Sequence, residues 1–169
     1  DYKLNIFNSE AAKFYREDLN LISLSLELNR KEIKEIMKKG ITGVVYQVYG
    51  KTELMISQYC PIGSTFGGKN KDKSCNQACM RDKFTLVDET KERFRVMTDV
   101  FCRSHILNGV PLNLINEIDD LKSMGIKTFR IDLKDESEKE VINIFKMLNG
   151  KKEIEGKYYT KGCYRRGVE

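Results

Sequence analysis

The chain has 169 residues, 40% apolar and 33% charged, with 2 prolines and 12 glycines. That balance excludes collagen-like, low-complexity and wholly disordered proteins and predicts one folded domain, burying about two-thirds of the surface of its unfolded chain. Thirty basic side chains against 25 acidic ones leave a net charge of +5, which tolerates a polyanionic partner without requiring one. No stretch approaches the roughly 18 uncharged residues of a membrane span, and the first residues lack signal-peptide anatomy, so the expectation is a soluble, cytoplasmic chain with no membrane partner.

In chain order, residues 2–7 read as a short strand with Leu4 and Ile6 on its apolar face, followed by Asn8 or Ser9 as a helix cap and a helix over residues 10–19. Residues 21–28 carry a period-two pattern of Leu, Ile and Ser that predicts a second strand. Asn29 then caps a helix over 30–39, with Ile33, Ile36 and Met37 on one face and Gly40 at its end. Residues 43–49 are β-branched and aromatic, a third strand that turns at Gly50. Further on, the pattern predicts a helix over 111–124 closed by Gly125, a fourth strand over 127–133 and a fourth helix over 136–148.

Strands alternating with helices point to an α/β fold with a parallel sheet. Four strand-helix units amount to half of a TIM-like (β/α) barrel, so residues 1–150 read as a half-barrel domain. A long insertion over 51–109 follows its third strand, and 151–169 form a basic and aromatic tail leading to a further C-terminal region. Within the insertion, residues 63–74 are rich in Gly and Lys and read as a loop, while 84–87 and 94–97 read as a hairpin. In a complete barrel such a loop projects from the face where barrel enzymes keep their active sites.

Five cysteines, an odd number without a secretory signal, argue for metal ligation or reactive thiols rather than a disulfide framework. Cys60, Cys75, Cys79 and Cys102 all lie in the insertion, and Cys163 lies in the tail. Loops beside strand ends can gather four thiolates without a contiguous motif. The spacing leaves an iron-sulfur cluster, a structural zinc and free structural thiols all open, because only one pair has the short separation of a zinc knuckle. His105 is the only histidine. Ser57, Ser64 and Ser104 are available as nucleophiles, yet there is neither a Gly-x-Ser-x-Gly elbow nor a zinc-protease helix. Glu27 at the end of the second strand, and Arg130 with Asp132 on one face of the fourth, are placed to bind or polarise a substrate at a barrel mouth or to form ion pairs. In the tail, Lys161, Arg165 and Arg166 interleave with Tyr158, Tyr159 and Tyr164, a pattern suited to phosphate contact and base stacking and equally to a solvated linker.

Residues 49–63, then Cys75 and Cys79, then 99–108 with Asp99, Phe101, Cys102, Arg103 and His105, closely resemble the collagenase-like peptidases, family thirty-two of the peptidases of unassigned catalytic type. Residues 5–9, 24–29 and 160–169 are similar to the same family. The resemblance implies the later half of a barrel-like catalytic region, with the preceding half and a further C-terminal part lying outside this chain. It implies a four-iron four-sulfur cluster on Cys60, Cys75, Cys79 and Cys102; the alternatives are zinc, or no metal in aerobically prepared protein. It also implies oxygen-independent hydroxylation in RNA modification, as in well-studied relatives that act on tRNA, ribosomal RNA or the ubiquinone ring. Cys163 stands where similar sequences more often carry His. On this reading Glu27, Arg103, His105 and Arg130 line a catalytic pocket and Lys161, Arg165 and Arg166 meet substrate phosphate. The expected partners are RNA, the remaining half of the barrel and, for a fragment with uncovered sheet edges, a second copy. The alternatives are a peptidase, as the family name says, and a non-catalytic half-barrel that needs a partner half.

Overall fold

The computed structural model describes residues 1–150 and 159–167. Two compact units emerge, one of Asp1–Gly50 with Pro111–Glu169 and one of Lys51–Val110.

The first unit opens with a single 3-10 turn at Tyr2–Leu4 rather than the strand read over residues 2–7. The Asp1 side chain accepts from the Lys3 amide and Asn5 takes the left-handed conformation at φ 50°, which breaks extension; only Ile6 pairs, through one parallel bridge to Leu24. Helix α1 (Ser9–Asp18) starts where the Asn8 side chain accepts from the Ala11 amide. Strand β1 (Ile22–Ser23) is much shorter than its alternating pattern predicts, because the Ser25 hydroxyl accepts from the Glu27 amide and turns the chain. Glu27 consequently lies exposed in that turn rather than at a strand end. Helix α2 (Arg30–Met37) begins with a capping box, Asn29 against Glu32, and buries Ile33, Ile36 and Met37. Full burial of each such side chain is worth about 1.5–3 kcal/mol, an upper figure for chains whose denatured state is already partly collapsed.

Strand β2 (Val44–Gly50) is buried along almost its whole length, as a strand covered on both faces must be. It pairs in parallel with β1, Ile22 opposite Val44. The chain leaves this unit after Gly50, whose φ is 131°; a Cβ there would stand 2.3 Å from the Asp132 carbonyl oxygen, so only glycine fits.

The second unit contains strand β3 (Glu53–Ser57), helix α3 (Pro61–Thr65), helix α4 (Ala78–Arg81) and strands β4 (Phe84–Val87), β5 (Arg93–Thr98) and β6 (Ser104–Leu107). The hairpin of β4 and β5 matches the sequence reading, and the sheet order is β3-β6-β5-β4, antiparallel throughout. Strands β3 and β6 are not visible in the sequence pattern, since Leu54, Met55 and Ile56 are consecutive apolar residues that all stand exposed. The start of the stretch read as a loop is in fact α3, entered through Pro61 at a first-turn position. Among the described residues, the buried apolar cluster of this unit consists of Cys60, Ile62, Ala78 and Val96, backed by Cys79 and Phe84, with Leu107 buried apart from it. That is little apolar support for a unit of this size.

Back in the first unit, the helix read over 111–124 is replaced by strand β7 (Leu112–Asn113), a 3-10 turn at Ile115–Glu117 and helix α5 (Ile118–Ser123). Leu112 and Asn113 pair antiparallel with Gly50 and Tyr49 of β2, and the Asn113 side chain accepts from the Ile115 amide, which postpones the helix. Strand β8 (Thr128–Ile131) pairs in parallel with β2, Val45 opposite Thr128, and helix α6 (Glu138–Leu148) follows a Ser137–Glu140 capping box. The protein is thus mixed α/β, and the described residues close no barrel. Among the described residues no helix is long and apolar enough to cross a membrane.

Candidate functional site

Cys60, Cys75, Cys79 and Cys102 line one cavity of about 320 Å³ in the second unit, together with Asp99 and Lys69. Local geometry delivers each cysteine differently. Cys60 is buried at the N-cap of α3, where its Sγ accepts from the Gly63 amide at 3.2 Å. Cys75 lies against Gly67, where a Cβ would stand 2.9 Å from the Cys75 Cβ; the missing side chain lets that loop close. Cys79 rides on α4, whose first turn is held by the Asn76 side chain accepting from the Ala78 amide and by Arg81 donating to the Asn76 carbonyl. Cys102 is exposed on the rim and adopts the left-handed conformation at φ 58°.

All four are free thiols. A set of soft sulfur donors around one cavity fits a thiolate-bound metal group chemically. Among the described residues, no three of His, Cys, Asp and Glu stand together as the ligands of a single ion.

Beside Cys102 lies a charged network that joins Arg103 and His105, both read from the sequence as pocket residues, to Asp99 and Glu53, to which the sequence reading gave no role. The Asp99 carboxylate accepts from the amides of Phe101 and Arg103 through Oδ1 and from the Arg103 guanidinium through Oδ2. His105 Nε2 lies 3.3 Å from the same Oδ2, while its Nδ1 lies 2.5 Å from Glu53 Oε2. Burial alone would raise the Asp99 carboxyl, but the Arg103 amide and guanidinium, His105 and the Phe101 amide outweigh it and hold the group well below the usual carboxylate range. Both ring nitrogens of His105 face carboxylates, so neither is offered to Ser57, Ser64 or Ser104 as a triad base. The Ser104 hydroxyl is fully buried without a partner among the described residues. Asp99 and Glu53 escaped sequence reasoning because an Asx turn and a pairing across 52 residues leave no periodic trace; the one local signal is an Asp two and four residues before the amides it caps.

The other sequence-derived candidates belong to the first unit. Arg130 makes a two-pronged bond to Asp132, at 2.5 and 2.9 Å, and also meets Asp1 and the Tyr2 ring. Glu27 is exposed, and after burial it is the first influence raising the Cys163 thiol. Lys161 and Arg165 both pair with Glu117, and Arg166 is exposed. Of the tail, 151–158 and 168–169, including Lys157 and Tyr158, lie outside the described residues. The segment before 168 is anchored by Tyr164, which is buried and donates to Asp120 at 2.6 Å, while Asp120 also binds Arg30.

A mixed α/β chain carrying a cysteine-lined cavity on a separate antiparallel unit defines the class of protein. The model of peptidase family U32 matches residues 1–155, and the chain belongs to that family. No curated protein and no solved structure matches it.

Proposed function

We propose that Cys60, Cys75, Cys79 and Cys102 hold a four-iron four-sulfur cluster and that the protein takes part in oxygen-independent hydroxylation of RNA. The observation that carries this reading is the placement of all four insertion cysteines on one cavity. A polynuclear cluster distributes its thiolates over separate irons, so it does not need the tight single-ion shell that a structural zinc requires. The small core of the second unit supports the same reading, since bound ligands can supply stability that so few buried apolar side chains do not.

When bound, the cluster would supply electron transfer or electrostatic activation near the substrate. The chain's own residues would shape that environment. Lys69 brings a cation to the cavity wall. Arg103, clamped by Asp99, keeps a fixed guanidinium beside Cys102. In the first unit, the parallel run through Ile6, β1, β2 and β8 would form one side of a barrel-like catalytic region, and the exposed Arg166 would meet phosphate. Peptidase chemistry, which the family name suggests, is disfavoured because His105 is engaged at both nitrogens.

Nucleoside mass analysis tests the function. RNA from cells lacking the gene should lose a nucleoside one oxygen heavier than its parent; wild-type protein should restore it and Cys60→Ser should not. An unchanged nucleoside profile, or full restoration by the variant, would overturn the reading.

A further inference from the structure

The geometry points to Asp99 as the positioning residue that sets Cys102 at the rim of the cavity; this rests on the reading of that cavity as the cluster site.

Among the described residues, Cys102 is one of four other than glycine with positive φ, and the conformation costs roughly 1–2 kcal/mol for an ordinary side chain. Something must hold it there, and the bonds around it identify what does. The Asp99 amide donates to the Arg103 carbonyl at 3.1 Å and the Cys102 amide donates to the Asp99 carbonyl at 3.0 Å, closing the turn through the main chain. Asp99 Oδ1 then takes the amides of Phe101 at 3.0 Å and Arg103 at 2.9 Å, one on each side of Cys102. The carboxylate thereby fixes the peptide plane that follows the cysteine, through the Arg103 amide, while the plane before it is held by the Cys102 amide on the Asp99 carbonyl.

The carboxylate is itself fixed. Arg103 Nε reaches Oδ2 at 2.7 Å, and His105, held from its other side by Glu53, reaches the same oxygen. His105 comes from β6 and Glu53 from β3, so the sheet supports the turn. No comparable anchor is needed at Cys60, which a helix start already orients. Rim ligands on loops require such support, because an exposed thiol on a free turn would lose the orientation that metal binding needs.

Two variants separate charge from geometry. Asp99→Asn loses the charge but keeps an oxygen for the two amides, whereas Asp99→Ala loses both. In the metal-free protein, hydrogen exchange at Phe101 and Arg103 should accelerate at least tenfold in Asp99→Ala and stay within about threefold of wild type in Asp99→Asn. In anaerobically reconstituted protein, Asp99→Ala should lose one iron in four and show the paramagnetic signature of a three-iron cluster, with Asp99→Asn restoring the four-iron form. If Asp99→Ala also unprotects β4 and β5, Asp99→Ser, whose hydroxyl can cap one amide, is read in its place and should exchange at an intermediate rate.

Wild-type exchange rates in Asp99→Ala, or an unaltered four-iron signature in it, would overturn the inference. Failure of wild-type protein to take up any iron would instead overturn the cluster reading, while the exchange rates still decide whether Asp99 orders the turn.

Discussion

Gly63 and Gly67 both border Cys75, yet the structure assigns them opposite tolerance to a methyl group. At Gly67 an added Cβ would stand 2.7 Å from the Gly63 carbonyl oxygen and 2.9 Å from both the Gly63 Cα and the Cys75 Cβ. Two of these are backbone atoms, and the Gly67 carbonyl also accepts from the Asn76 amide, so relief requires the α3 end and the Cys75 loop to separate by several tenths of an ångström. Overpacking of this kind costs about 1–3 kcal/mol. At Gly63 the nearest atoms would be Cys60 Sγ and Lys69 Cδ, both at 3.5 Å, with the Cys75 Cβ at 3.7 Å, all ordinary contacts. Because alanine is the better helix former by roughly 1 kcal/mol, Gly63→Ala should leave the metal-free chain as stable as wild type or slightly more so. Urea denaturation followed by far-ultraviolet circular dichroism and by exchange in residues 51–110 measures both. The added methyl at Gly63 points among the cysteines, so iron uptake should fall even though stability does not. Equal destabilisation by the two variants, or unimpaired iron uptake in Gly63→Ala, would refute this account of the cavity wall.

Tyr164→Phe removes the hydroxyl bonded to Asp120 while retaining the buried ring, and should cost about 1.5–3 kcal/mol, the range for a hydrogen bond to a charged group, measured by urea unfolding. Asp120, held down first by Arg30, and Glu117, held down first by Lys161, both have lowered pKa values. Their contribution is therefore present above the unfolded carboxylate range near pH 4 and is lost as pH falls through the folded values; Asp120→Asn should flatten the decline in urea midpoint below about pH 4. Gln47 is buried on β2 with neither amide atom partnered among the described residues, so Gln47→Met should raise the melting temperature or leave it unchanged. A clear loss would show that the amide has a partner in the working protein.

Much of the first unit is legible because its determinants are local. Asn29 with Glu32, the apolar face of α2, and the β-branched run of β2 each lie within a few residues of one another. The stretch after Pro111 misleads because Leu112, Ile115 and Ile118 mimic helical spacing, whereas the deciding interaction is the pairing of Leu112 and Asn113 with β2, more than 60 residues earlier. Residues 2–7 fail for a smaller reason, the Asp1 side chain taking the Lys3 amide and Asn5 turning left-handed. The cysteines stand out as a group through chemistry and clustering, but the turn that presents Cys102 does not. Its supports at Glu53 and His105 belong to two strands without a clean alternation, one mostly exposed and one buried or half-buried along its length.

The central claim is that the four cavity cysteines hold an iron-sulfur cluster, and the most direct test is iron and acid-labile sulfide analysis, with a visible spectrum, of protein purified without oxygen. The account predicts about four irons and four sulfides per chain with a broad thiolate-to-iron absorption, all lost together in Cys60→Ser. Stoichiometric zinc, or colourless metal-free protein from an anaerobic preparation, would contradict it.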